Sequence, residues 1–177
     1  MRTKILVLAI TSLLWMTAYS QDLSIFEAAQ KNNLNKVREY SGNVNTPAQD
    51  GRGWTPLIAA AFAGHADMVK LLIEKDADVN AKSSGKGETA LMRAVAYPEI
   101  VKILLDKKAD INIANTSTGS TALMLAAAAG HKETVKILLE HKPDLKVKNK
   151  GGKTALQCAA NAEITELIKN AESISNQ

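Results

Sequence analysis

The chain has 177 residues, 46% hydrophobic but only 4% aromatic, and a formal charge of +4. That length fits one domain, and a core built from Ala, Leu, Ile and Val favours close-packed helices over a sheet sandwich. The single cysteine, Cys158, excludes an intramolecular disulfide.

The first twenty residues read as an export signal. Arg2 and Lys4 precede an apolar run from Ile5 to Met16, and Ala18-Tyr19-Ser20 places small residues where a signal peptidase cuts. Cleavage is expected after Ser20, with Gln21 as the mature N-terminus. A mostly apolar run of twelve residues is short for a membrane span, no cysteine follows it for lipid attachment, and no later stretch is long enough to cross a bilayer. Removing Arg2 and Lys4 leaves 20 basic against 18 acidic residues, a net +2, which is not the charge balance of a nucleic-acid binder. After cleavage the protein is expected to be exported, to a bacterial periplasm or beyond the cell, without stable membrane insertion.

From residue 53 onward a pattern repeats. Gly53-Trp54-Thr55-Pro56-Leu57 returns as Gly87-Glu88-Thr89-Ala90-Leu91, Gly119-Ser120-Thr121-Ala122-Leu123 and Gly152-Lys153-Thr154-Ala155-Leu156, its threonines 34, 32 and 33 residues apart. A second motif follows in register: Val69-Lys70-Leu71-Leu72, Val101-Lys102-Ile103-Leu104 and Val135-Lys136-Ile137-Leu138, each leading to Ala77-Asp78, Ala109-Asp110 or Pro143-Asp144. Thr is a good helix N-cap, and Pro56 at the first helical position gives up no hydrogen bond. The pairs Ala60-Ala61, Ala126-Ala127 and Ala159-Ala160 suit short inner helices stacked closely, and the Leu and Ile of the second motif supply the core between units.

A period near 33 with Thr-Pro-Leu opening a helix resembles the ankyrin-repeat family, from Leu23 to Glu172. The resemblance implies an all-α solenoid of helix-turn-helix units joined by hairpin loops, with strand confined to the hairpin tips. Five units are expected: 23–49, 50–82, 83–114, 115–148 and 149–172, the first degenerate and the last shortened, with residues 173–177 frayed. Three departures stand out. Ile58, Met92, Met124 and Gln157 replace the family's His. Asp76, Lys108 and Lys142 replace the Gly that ends the outer helix, at about 1 kcal/mol each if the site is left-handed. The third unit lacks two residues, so Pro98 should start its outer helix early.

Catalysis and metal binding find no support in the sequence. His65 and His131 occupy the turn between helices, where a structural role is usual. No His-x-x-x-His, Cys-x-x-Cys or Glu-x-x-His pair exists. Cys158 aligns with Ala59 and Leu125 and is expected as a small buried hydrophobe. Gly85-Lys86-Gly87 lacks the rest of a phosphate loop, and Asn115-Thr116-Ser117 matches a glycosylation acceptor that matters only in a eukaryotic secretory pathway. No enzyme activity, cofactor or metal is expected.

By resemblance, a protein partner would bind the concave side, formed by hairpin tips and inner helices. The alignment places Arg52, Trp54, Phe62, Lys86, Glu88, Tyr97, Ser120 and Lys153 there. Three of the five aromatics after residue 20 fall in this set, and Trp, Tyr and Arg dominate interface energetics. Trp54 is expected to point out of the stack as a binding anchor, so that its truncation leaves stability unchanged. Phe62 and Tyr97 either join it or fill gaps between inner helices. The degenerate ends imply a monomer. Small exported members of the family resemble accessory proteins of peroxide defence, immunity proteins or effectors, among which no residue selects.

Overall fold

The computed structural model describes residues 25–175, so the signal segment, its cleavage point and the last two residues of the tail lie outside the described residues. Ten helices are present among the described residues. They come in five consecutive pairs: α1 (25–30) with α2 (Leu34–Glu39), α3 (Pro56–Ala63) with α4 (Ala66–Glu74), α5 (Ala90–Arg93) with α6 (Pro98–Asp106), α7 (Ala122–Ala129) with α8 (Lys132–Glu140), and α9 (Ala155–Cys158) with α10 (Ala162–Ser175). Inner helices touch in the order α3, α5, α7, α9, and outer helices in the order α2, α4, α6, α8, α10. The result is two parallel layers of a helical solenoid.

Each inner helix from α3 to α7 starts at a threonine. The hydroxyls of Thr55, Thr89 and Thr121 accept the backbone N–H of Ile58, Met92 and Met124 at 3.3, 3.4 and 3.4 Å, worth about 1 kcal/mol per cap. The side chains at the position of the missing family His serve in other ways. Ile58, Met92 and Met124 are buried in the core, while Gln157 accepts the backbone N–H of Thr154 at 3.0 Å. Ala59, Ala60 and Ala61 in α3 and Ala126 and Ala127 in α7 are buried too; no larger residue would let neighbouring inner helices approach so closely.

Outer helices bury one stripe at helical spacing. Met68, Val69 and Leu72 supply it in α4, Ile100, Val101 and Leu104 in α6, Val135 and Leu138 in α8, and Ile164 and Ile168 in α10. Their C-termini are left-handed, the condition under which the three replacements of Gly carry a cost, with φ of 62° at Asp76, 62° at Lys108 and 51° at Lys142. The amide of Ala77 returns to the carbonyl of Leu72, and that of Ala109 to Leu104, which satisfies carbonyls the helix would leave open. Between these loops runs a second ladder. The side-chain oxygens of Asn45, Asn80 and Asn112 accept the backbone N–H of Asp78, Asp110 and Asp144 in the following unit, at 2.7–2.9 Å.

The third pair is irregular. Pro98 opens α6 nine residues after Thr89, whereas Ala66 and Lys132 follow their threonines by eleven, so α5 keeps only four residues. Two side chains fill in for the missing turn. Tyr97 lays its ring against Gly64, where an added Cβ would stand 2.6 Å from Cε1. Thr134, fully buried on α8, donates its hydroxyl to the carbonyl of Val95 at 2.8 Å.

One expectation needs correction. No strand occurs at the hairpin tips among the described residues. Each hairpin is closed by few bonds, such as Ser83 N–H to the carbonyl of Glu88 at 2.9 Å, and is too tight to extend a ladder. Instead the tips bond sideways to one another. At the C-terminal end α10 continues to Ser175; Lys169 to Ser175 contains no Gly or Pro to stop it, and extending a formed helix is easier than starting one.

Candidate functional site

The side of the stack carrying hairpin tips and inner helices holds a cluster at the second and third pairs. Its centre is Trp54, and here the structure overturns the outward placement: Trp54 is only 4% exposed. The position before the capping threonine is covered by the unit that follows it. Trp54, Glu88 and Ser120 are all buried there, and only Lys153, with no further unit among the described residues, is exposed.

What covers Trp54 is arginine. The Arg52 guanidinium lies 4.6 Å from the ring centroid and that of Arg93, on α5, 4.7 Å, contacts worth about 0.5–2 kcal/mol each. Phe62, on α3, packs at 5.0 Å between centroids with the rings tilted by 60°, and Arg93 also reaches it at 5.5 Å. Phe62 remains 48% exposed. It is therefore the apolar surface that this cluster offers to solvent, with Trp54 as its backing.

Carboxylates hold both arginines in place. Arg93 Nη2 donates to Glu88 Oε2 at 2.7 Å, and the pair is largely buried. Arg93 Nε is buried with no partner, so this guanidinium is desolvated beyond what one carboxylate compensates. Asp50 accepts the backbone N–H of Arg52 at 2.9 Å and its Nε at 2.7 Å. Burial pushes the Asp50 carboxyl up, but the hydrogen bonds and charge of Arg52 and the N–H of Gly53 outweigh it and hold the group below the ordinary aspartate value. A carboxyl depressed in this way favours the fold above the ordinary aspartate range and loses that contribution only as pH falls through the lowered value. Above the ring, between the tip of Gly51 and Arg52 and that of Gly85 and Lys86, lies a cleft of about 300 Å³.

Of the residues picked from sequence, Arg52, Trp54, Phe62 and Glu88 thus come together, and Lys86, exposed, lines the same cleft. Tyr97 is 38% exposed and spent against Gly64. Ser120 lies one hairpin away, its hydroxyl bonded to that of Thr118 at 2.8 Å, and Lys153 belongs to the last hairpin. Arg93 escaped the sequence reading. Its signal was a charge at an inner-helix position where the other units carry Ala59, Leu125 and Cys158.

The remaining motifs are absorbed by the fold. His65 Nε2 meets the carbonyl of Gln30 at 3.0 Å, tying the second unit to the first. Cys158 is half-buried against the core. Asn115 is buried, with its side-chain oxygen accepting from the backbone and hydroxyl of Thr118 at 2.8 and 3.0 Å, so this acceptor motif serves the hairpin. Among the described residues no cluster of His, Cys, Asp or Glu could hold a metal, and no helix is long and apolar enough to cross a membrane.

A family model described as ankyrin repeats (3 copies) matches residues 25–115 and 97–176. Ankyrin repeat and SAM domain-containing protein 6 of Mus musculus is 42% identical over 74 residues, which is 40% of this chain and 8% of that protein. Ankyrin repeat domain-containing protein 49 of Homo sapiens is 47% identical over 58 residues, 30% of this chain and 23% of that protein. Ankyrin repeat domain-containing protein 29, also human, is 42% identical over 57 residues, 31% of this chain and 19% of its own length. The chain thus spans less than a quarter of each of these relatives.

Proposed function

The chain belongs to the ankyrin-repeat family, whose repeats are generally protein–protein interaction modules and typically non-catalytic, and from that premise we propose that it binds a protein partner through the Phe62 surface and the adjoining hairpin tips, outside the cytoplasm. The observation that carries the reading is the exposed Phe62 ring, pre-organised by Trp54, Arg52 and Arg93. A rigid aromatic anchor loses little conformational freedom on binding, and a flanking cation adds a polar contact at its rim. Lys86 and the cleft above Trp54 extend the surface beside it. The protein acts as a monomer in this reading.

Affinity capture from the extracytoplasmic fraction tests it. Phe62→Ala should keep the fold yet weaken capture by about 2 kcal/mol or more, the scale of an interface hot spot. Equal recovery of the same proteins by both forms would move the interface elsewhere. Export rests on the N-terminal pattern of basic residues, apolar run and Ala18-x-Ser20. Mass spectrometry of the exported protein should find Gln21 first, and an intact Met1 there would end that part of the reading.

A further inference from the structure

The hairpin tips are joined edge to edge. Gly85 N–H donates to the carbonyl of Arg52 at 3.3 Å, Thr116 N–H to that of Lys86 at 2.9 Å, and Lys150 N–H to that of Thr118 at 2.8 Å. They form one continuous row from the Trp54 cluster to the last hairpin, and charge collects at the far end of it. From residue 148 to 153 the chain carries three lysines and no carboxylate. All three are exposed, beside half-buried Val147 and Asn149, whereas Lys146, at the register of Asn80 and Asn112, lies by Glu172 of α10. Lys150 is fixed by its ammonium bonding the carbonyl of Thr116 at 2.6 Å.

Among the described residues, Lys86, Lys146, Lys148 and Lys153 enter no ion pair. The other side differs in sign less strongly: on α2, α4, α6, α8 and α10 ten carboxylates face six lysines and Arg38, and Lys75 and Lys107 cap two of these helices. The tip row is thereby left as an unneutralised basic edge where neighbouring cations repel one another. Such an edge orients a partner of opposite charge and speeds its approach.

We propose that the tip row takes an extended acidic segment of a partner protein, its carboxylates held by Lys148 and Lys153 and its course continuing past Lys86 to Arg52. This rests on the tip side being the partner surface, and it adds the partner's chemistry. The outer helices, where carboxylates outnumber cations, offer no second basic face to a polyanion that wraps the molecule, such as a nucleic acid, whereas a short peptide can stay on the row.

The test uses a labelled twelve-residue peptide of alternating Glu and Ala, titrated by fluorescence anisotropy at about 0.15 M salt, where exposed charges act over about 8 Å. Lys148→Glu/Lys153→Glu should weaken binding about tenfold or more, with a flatter salt dependence. Lys102→Glu/Lys169→Glu makes the same change in net charge on the outer helices and should alter binding less than about threefold. Equal losses in the two variants would show a net-charge effect and overturn the proposal. So would tighter binding of a charge-matched single-stranded oligonucleotide, or of phosphatidylglycerol vesicles, than of the peptide. If the hairpin variant fails to fold in a urea titration, Lys148→Ala and Lys153→Ala singly must each lower the salt slope, or the proposal falls. Should the lysine variants bind the peptide normally while Phe62→Ala still loses protein capture, the acidic-segment inference fails and the aromatic interface stands.

Discussion

The third and fourth helix pairs solve the same packing problem with different means. In the fourth, α7 has eight residues, ends at Gly130 with φ of 80°, and stacks through alanines. The third keeps four inner-helix residues and no glycine between its helices. What it lost in backbone it recovers with side chains: Tyr97 seals Gly64, Thr134 of the next unit satisfies Val95, and Arg93 seats itself on Trp54 and Phe62. A regular repeat meets its neighbour through close-packed alanines and the shared loop ladders, whereas the shortened one adds polar and aromatic side chains at its borders. Those are the groups that a binding surface also uses, so the defect and the candidate site coincide in space.

The comparison can be broken most severely at Trp54. Trp54→Ala removes the ring on which Arg93 and Phe62 rest and should cost about 3 kcal/mol in urea unfolding. A change below about 0.5 kcal/mol, the level of an ordinary surface site, would return the ring to solvent. The two inner-helix glycines sharpen the contrast next. Gly130→Ala strains a left-handed residue for about 1 kcal/mol, with no atom closer than 4.0 Å to the new Cβ. Gly64→Ala adds a collision with the Tyr97 ring and should cost about 1 kcal/mol more. Matching denaturation midpoints for the two would mean that Tyr97 does not bridge the shortened unit. The smallest effect is a gain: Lys108, left-handed at φ 62°, should yield about 0.5–1 kcal/mol on Lys108→Gly. A neutral or negative shift in the same titration would show that the helix end is already relaxed.

Local chemistry was legible in the residues. Threonine caps and Pro98 as an early helix start depend on a residue and its neighbours in the chain, and each stands as read, while Asp76, Lys108 and Lys142 meet the left-handed condition set for them. The orientation of Trp54 was not legible, because a position on a hairpin is buried or exposed according to what the next unit lays over it. Arg93 and Thr134 were missed for the same reason. An arginine on an inner helix looks like a flaw until a tryptophan lies beneath it, and a buried threonine is intelligible only once the carbonyl it serves, 39 residues earlier, is known. The site residues that came together, Arg52, Trp54, Phe62 and Glu88, were chosen by type and alignment. Their grouping came from stacking.

Trp54 is the one indole among the described residues, and it sits where the second and third pairs meet, under two guanidinium groups. In a chain cut after Ser20, which has lost Trp15, its emission therefore reports on a single joint of the solenoid. While that joint is closed the ring is shielded from water and its light stays toward the blue. Once the two pairs part, the emission reddens, even with the fourth and fifth pairs still folded. A helical signal that outlasts this colour change would time the opening of the shortened unit against the melting of the whole, with no label attached.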